Sequence, residues 1–429
     1  MMRAFVLSLG CSKNEVDSER IAFVLERAGF ELSPRPEGCD LVVINTCAFV
    51  EEAVKEAVES VLDVEEMKER GEVGSFWVVG CMVSRYGRGA LQEELPLCDG
   101  LFGVDPWEEV ALRLGVDPVP GRRPLPGKPV WTRYLKVSEG CSNRCSYCTI
   151  PSIRGPMRSR GLEEIRSEFS SLVEEGAREV CLVAQDLASW GSDLYGEPSL
   201  SRLLLALDEL CPSGVRLRLL YLHPARLDEP LAELILSLRS VQRYLDVPVQ
   251  HSSPRILEAM GRRVTREGML RLFGLLRGAD PDFALRTTVM VGFPGETEED
   301  LEDLLDFLEE VRFDRLGAFA FSPEEGTAAS LMEGQVPEEE KELRLSRVMS
   351  LQEGISRERN ERFVGRSLEV LLEGREGRFL VGRSFREAPE VDGLVLVRRR
   401  KGLRLGEWVS VRVEEALEHD LVGWAEGSP

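Results

Sequence analysis

The stretch Cys141-Ser-Asn-Arg-Cys145-Ser-Tyr-Cys148 decides how this chain is read. Its three cysteines stand at i, i+4 and i+7, just behind a strand-like run, Tyr134-Leu-Lys-Val137, and Gly140. Three close thiolates can hold three irons of a 4Fe–4S cube and leave the fourth iron without a local cysteine. An open coordination position can take a substrate or cofactor, the feature that separates catalytic from structural zinc sites. Zinc is the alternative, but it favours ligand pairs such as C-x-x-C. The only histidines, His223, His251 and His419, are remote in sequence. The spacing therefore favours iron–sulfur over zinc.

Outward from that loop, residues 134–360 alternate strand-like and helical runs. Tyr134–Glu139, Glu179–Gln185, Arg216–Leu222, Tyr244–Gln250, Ala284–Gly292 and Arg315–Phe321 read as strands, each followed by a helical segment. Six βα units predict a partial parallel barrel whose reactive edge lies at the strand carboxyl ends, where the cysteine loop falls. Thr297 followed by Glu298, Glu299 and Asp300 starts a helix well: a hydroxyl N-cap, then acids in the first turn. Pro337–Asn360 reads as a charged helix with a solvated face. Gln250 and Arg286 lie on or at the end of barrel strands, where either could touch a cofactor. Capping a turn (Gln250) or pairing with an acid (Arg286) is the plainer alternative. His223 and His251 read as ordinary polar residues at loop entrances.

Residues 1–114 alternate on a shorter period. Ala4–Leu9, Leu41–Ile44 and Phe76–Val79 read as strands, and Glu15–Ala28, Val50–Glu69 and Val83–Leu95 as helices, which predicts a parallel sheet. Cys11, Cys47 and Cys81 each come just past one of those strands. That edge is where open α/β sheets bind ligands, and structural cysteines would more often fall inside the strands. A second metal cluster is expected there.

Residues 115–131, with five prolines, predict a stiff linker of polyproline character. Ser367–Leu372, Arg378–Arg383, Gly393–Val397, Trp408–Val413 and Leu421–Ala425 are short strand-like runs separated by turns, which predicts a small antiparallel barrel of the OB kind. The chain is thus α/β, divided at 1–117, 127–358 and 360–427. Arg398-Arg-Arg-Lys401 is a basic run in the barrel that reads as a solvated turn, with contact to RNA as the alternative.

The 429 residues are ample for several domains, and 43% hydrophobic content suffices for real cores. No apolar run approaches the roughly 18 residues a membrane span needs. The apolar stretch Ala4–Leu9 before Cys11 is shorter than the core of about seven to fifteen that a secretory signal needs. Ten cysteines without an export signal point to the reducing cytoplasm, where cysteine clusters serve metals or catalysis rather than disulfides. Cys39, Cys98, Cys181 and Cys211 read as buried small hydrophobes. Net charge is −21, and the last 68 residues balance at 12 basic and 12 acidic side chains. A nucleic-acid binder is expected to show a basic face. An acidic surface instead suits a basic partner.

The cysteine spacing, with Tyr147 just before the last cysteine, resembles the radical SAM superfamily. The resemblance implies a cluster on Cys141, Cys145 and Cys148 whose open iron chelates S-adenosylmethionine, with Tyr147 near the adenine. One-electron cleavage then yields a 5′-deoxyadenosyl radical that takes hydrogen from unactivated carbon.

Taken whole, a three-cysteine α/β part, a radical SAM part and a small C-terminal barrel of the TRAM kind resemble the methylthiotransferases. Ser8-Leu-Gly-Cys-Ser-Lys-Asn-Glu-Val-Asp-Ser-Glu19 and Phe385-Arg-Glu-Ala-Pro-Glu-Val-Asp-Gly393 resemble the branch that modifies an aspartate of ribosomal protein S-twelve. Ala184-Gln-Asp186, Tyr244–His251, Val291–Thr297 and Phe321–Thr327 resemble the family as a whole. The resemblance implies an auxiliary 4Fe–4S cluster on Cys11, Cys47 and Cys81 that carries the sulfur to be inserted. One S-adenosylmethionine methylates that sulfur and a second is cleaved. It also implies a one-electron donor such as flavodoxin or ferredoxin. Two competing readings stand beside it. One is a transfer RNA adenosine methylthiotransferase, which the acidic surface disfavours. The other is a binding module whose metals are closed and inert.

Overall fold

The structure is a computed structural model that describes residues 1–119, 123 and 130–427. Most of the predicted proline-rich linker lies outside the described residues.

The first part is a parallel sheet of five strands: β1 (Met2–Ser8), β2 (Phe30–Leu32), β3 (Leu41–Thr46), β4 (Ser75–Gly80) and β5 (Gly100–Phe102), in the order β2-β1-β3-β4-β5. Around it lie α1 (Ser12–Arg27), α2 (Glu51–Glu69), α3 (Cys81–Tyr86), α4 (Arg88–Glu94) and α5 (Trp107–Arg113). β3 is buried along its whole length and β4 along all but its first residue. Burial on both faces is why they read as unbroken apolar runs rather than alternating ones. The helix expected over Val83–Leu95 is two helices, α3 and α4, because Gly87 between them takes φ 85. Strands β2 and β5 were not expected: three residues are too few to display a period.

The six expected central strands are all present. They are β6 (Thr132–Lys136), then, after the short pair β7 (Ser138–Glu139) and β8 (Arg158–Ser159), β9 (Glu179–Val183), β10 (Arg216–Leu219), β11 (Val241–Asp246), β12 (Ala284–Val291) and β13 (Arg315–Ala320). They form one sheet in the order β13-β12-β11-β10-β9-β6, parallel at every seam. Alternate residues serve opposite faces. Leu135, Leu182, Leu217, Leu245 and Leu285 bury against the surrounding helices. Tyr134, Cys181, Tyr244 and Ala284 belong to a different core, shared with Val370, Phe385 and Val395 of the C-terminal part. The C-terminal barrel therefore covers the sheet's other face.

That barrel is closed: β14 (Ser367–Glu376), β15 (Phe379–Arg383), β16 (Val395–Arg398), β17 (Trp408–Ala416) and β18 (Leu421–Ala425). Four seams are antiparallel, and the fifth joins β16 to β18 in parallel, the seam that closes the ring. Arg398 in its basic run pairs with Glu414 at 2.9 Å on the surface.

Buried ion pairs lock the three parts together. Lys136 of β6 is held by Asp17 of α1, and by Asp105 and Glu139 at 2.9 Å each. Arg123 and Arg133 converge on Glu19 of α1 at 2.7 and 3.0 Å. On the other side, Glu179 of β9 pairs with Arg383 of β15 at 2.7 Å. Buried charges tolerate removal from water only when paired this closely. Among the described residues no helix is long and apolar enough to cross a membrane.

Candidate active site

Cys11, Cys47 and Cys81 come together at the carboxyl edge of the first sheet. Cys11 is the N-cap of α1, Cys47 follows β3, and Cys81 opens α3. β1, β3 and β4 are neighbours, so loops far apart in sequence meet at one edge. Two glycines make the approach possible. Gly10 takes φ +88, and a Cβ on it would lie 3.0 Å from Cys47 Sγ. Gly80 takes φ +95, and a Cβ there would lie 2.8 Å from the Thr46 carbonyl. Asn14 ties the loops, its Nδ2 donating to Leu9 O at 2.9 Å and Thr46 O at 3.0 Å. Thr46 Oγ1 donates to Val79 O at 2.7 Å and accepts from Met82 N at 3.3 Å.

Cys141, Cys145 and Cys148 lie in the loop after β7, half-buried. Backbone bonds hold the loop: Cys141 N to Gly155 O at 3.0 Å, Ser146 N to Met260 O at 3.0 Å, and Ala329 N to Ser146 O at 2.8 Å. Asn143 Nδ2 donates to Asp186 Oδ2 at 2.9 Å, tying the loop to the end of β9. Arg262 Nη1 donates to Tyr147 Oη at 3.2 Å.

All ten cysteines are free. Burial pushes the Cys47 and Cys141 thiols up, Cys81 to about 11 and Cys148 to about 12. Burial also raises Cys11, but the Lys13 and Arg154 charges more than offset it and hold that thiol below its ordinary value. Ligation needs thiolates, so loading either site releases protons. Among the described residues no three Cys, His, Asp or Glu side chains close around a single metal ion. A zinc ion draws its ligands to about 2.0–2.3 Å from one centre, whereas a cube spreads three thiolates over three irons. The donor set, three thiols per site, fits the cube.

Polar groups left without partners line the central edge. Gln185 Oε1, Ser138 Oγ and Gln250 Oε1 are buried and make no hydrogen bond. Gln250 also holds φ 72, a left-handed conformation rare outside glycine, with its N bonded to Thr288 O at 2.8 Å. A strained backbone and an unmatched amide oxygen at one residue are features of a ligand-facing position. Arg286 was expected either to touch a cofactor or to pair with an acid. It lies near the start of β12 and is engaged by Asp246 at 3.0 Å and Asp392 at 3.2 Å. The pairing-with-acid alternative describes its surroundings. His223 and His251 accept backbone hydrogen bonds through Nδ1. Cys39, Cys98, Cys181 and Cys211 are buried, as expected.

Sequence reasoning passed over Arg154 and Lys13. Arg154 ends α6 (Ile150–Arg154), just after the central cysteines, yet its guanidinium reaches Cys81 Sγ at 3.2 Å and Glu139 Oε1 at 2.9 Å, and also bonds Asn14. A lone arginine carries no periodic signal. Lys13 sits inside the quoted Ser8–Glu19 stretch, so the signal was present but carried no role.

Known proteins match this architecture part by part. Residues 3–103 match the model of Uncharacterized protein family UPF0004, residues 135–308 the Radical SAM superfamily, and residues 364–425 the TRAM domain. The chain is 42% identical to the ribosomal protein uS12 methylthiotransferase RimO of Pelotomaculum thermopropionicum, over 97% of this chain and 98% of that protein. It is 42% identical to RimO of Thermotoga maritima, over 98% and 99%, and 40% identical to RimO of Aquifex aeolicus, over 98% and 97%. Among solved structures, the radical S-adenosylmethionine methyltransferase TsrM of Kitasatospora setae, with cobalamin and a 4Fe–4S cluster bound, aligns at TM-score 0.53 and 19% identity over 75% of each chain. That likeness shows the fold alone. Identity of this order over nearly the full length shows that the chain belongs to the RimO family of radical SAM methylthiotransferases.

Proposed function

We propose that this protein inserts a methylthio group at the β-carbon of an aspartate in ribosomal protein S-twelve. The observation that carries this reading is the pair of three-thiol sites, each at the carboxyl edge of its own parallel sheet, joined by Arg154. In this reading Cys11, Cys47 and Cys81 hold an auxiliary 4Fe–4S cluster, and Cys141, Cys145 and Cys148 hold the cluster that binds S-adenosylmethionine. When bound, these groups supply one-electron cleavage of the sulfonium and a transferable sulfur.

The chain's own residues bind and orient. Tyr147, fixed through its hydroxyl by Arg262, packs against the Ile256 and Met260 cluster and would flank the adenine. Gln250 offers its unmatched amide oxygen to the cofactor. Arg154 and Glu139 hold the two loops in register. No general base is required, because an unactivated C–H bond has no useful acidity.

The work divides over segments 1–117, 127–358 and 360–427. An electron donor such as flavodoxin or ferredoxin would serve the central cluster in the cytoplasm. Transfer RNA suits the net charge of −21 poorly.

The test is the mass of S-twelve after anaerobic incubation with the reconstituted protein, S-adenosylmethionine, sulfide and a reductant. The expected result is one methylthio group in place of one hydrogen, mapped to a single aspartate. 5′-Deoxyadenosine without modified S-twelve would move the substrate elsewhere.

A further inference from the structure

Lys13 is a buried cation whose strongest favourable electrostatic neighbour is the Cys11 thiol rather than a carboxylate. It lies in the first turn of α1, two positions past Cys11, and is 8% exposed. Among the described residues no carboxylate lies within ion-pair reach of its Nζ. The contact the ammonium does make is with the face of Tyr221, 3.8 Å from the ring centroid. The other buried lysines are paired: Lys136 with Asp17, Asp105 and Glu139, and Lys341 with Glu338. An aromatic face attracts a cation but does not replace a carboxylate once water is removed.

Tyr221 is unusual in its own right. It follows β10 at the carboxyl edge of the central sheet and is held at φ 63. Bulky residues seldom adopt that conformation, and it persists where the surroundings enforce it. Its N donates to Asp246 Oδ2 at 3.2 Å. The strained turn presents the ring of a central-sheet residue to the ammonium of a first-sheet residue. Lys13 therefore stands where the two cysteine-bearing edges meet.

We infer that Lys13 receives the carboxylate of the substrate aspartate and thereby sets both the choice of an acidic side chain and the position of the atom attacked. The inference rests on the functional reading above. A charge-assisted bond would hold the carboxylate oxygen about 2.8 Å from Nζ. The aspartate β-carbon is bonded directly to that carboxyl carbon, so fixing the carboxylate fixes the reacting carbon. An amide or a nucleobase cannot complete the pair, and its binding would leave the ammonium buried without a carboxylate.

The experiment uses the reconstituted holoenzyme and full-length S-twelve with either its native aspartate or an Asp→Asn change at the modified position. Wild type, Lys13→Met and Lys13→Arg are compared for Kd, for kcat and KM separately, and for iron content. Wild type is expected to prefer the aspartate form by about tenfold or more in kcat/KM. Lys13→Met should lose that preference, with its ratio near one, while keeping wild-type iron. Lys13→Arg should retain most of it. A Lys13→Met enzyme that still prefers aspartate by the wild-type ratio overturns the inference. So does a loss that follows the loss of auxiliary iron, which would make Lys13 a partner of the cluster thiolates instead. Wild type that leaves S-twelve unmodified sinks the functional reading itself, a result distinct from either.

Discussion

Arg154 places a guanidinium nitrogen 3.2 Å from Cys81 Sγ, so a residue of the central cysteine loop reaches a cysteine of the first sheet. Its other terminal nitrogen is 2.9 Å from Glu139 Oε1, and side chains on both sides bury it to 4% exposure. Partners of this kind orient ligands, and losing one typically costs about ten- to a hundredfold in metal affinity. Arg154→Gln should reduce reconstituted iron from about eight per chain towards about four. The cluster that remains should be the central one. Iron and sulfide analysis with spectroscopy of the two sets checks this. Full occupancy of both sites in the variant would show that Arg154 does not support the first triad.

The two triads should separate by function. Replacing Cys11, Cys47 and Cys81 together with alanine should leave S-adenosylmethionine cleavage measurable as 5′-deoxyadenosine and abolish methylthiolation. Replacing Cys141, Cys145 and Cys148 should abolish both. Folding should survive the first set best at Cys11, which is half-buried at a helix N-cap, and worst at Cys81, which is 3% exposed. Equal loss of 5′-deoxyadenosine in both sets, with both variants folded by circular dichroism, would contradict the division.

Most of this arrangement is written in the sequence because the cysteines follow strands. Strand runs such as Leu41–Ile44 are apolar throughout, and a residue just past one can be placed at a sheet edge without knowing the tertiary fold. What the sequence hid are contacts across parts. The Arg154–Cys81 and Lys13–Tyr221 contacts join residues far apart in the chain, and neither belongs to a periodic pattern. Arg286 shows the converse. Its strand position suggested a cofactor contact, but Asp392, which engages it, comes from the C-terminal barrel, and no local pattern announces that partner.

Gln250 offers a test in which stability and binding move in opposite directions. A non-glycine residue at φ 72 carries strain on the order of 1 kcal/mol, which glycine relieves. Gln250→Gly should therefore raise the urea midpoint of the metal-free protein slightly while weakening S-adenosylmethionine binding. Gln250→Ala keeps the strain and loses the amide, so its binding should fall without the gain in stability. Equilibrium dialysis with reconstituted protein and urea unfolding of the metal-free protein measure the two effects. Unchanged affinity in both variants would remove Gln250 from the cofactor site.

Asp314 should govern how the protein meets acid. Fully buried just before β13, it accepts from Arg277 at 2.7 Å, from Arg359 at 2.9 Å and from Arg386 at 3.3 Å. Those arginines come from a central helix, the long helix Glu338–Glu361 and the loop after β15, so one carboxylate fastens the C-terminal barrel to the central sheet. Burial alone would raise its pKa, but Arg359, Arg386 and Arg277 outweigh it and lower it from 3.8 to about 2. A carboxylate depressed on folding adds stability that is fully present above its unfolded pKa and is lost as pH falls through the folded one. The window is therefore from about pH 4 down to about pH 2, and the contribution lost is on the order of 2 kcal/mol. Asp314→Asn should cost more than this at neutral pH, about 3–5 kcal/mol, because it leaves the buried Arg359 and Arg386 and the half-buried Arg277 short of a counter-charge. Its stability should then fall less steeply than that of wild type between pH 4 and pH 2. Urea unfolding across that range reads both effects, and parallel acid profiles for the two proteins would contradict the assignment.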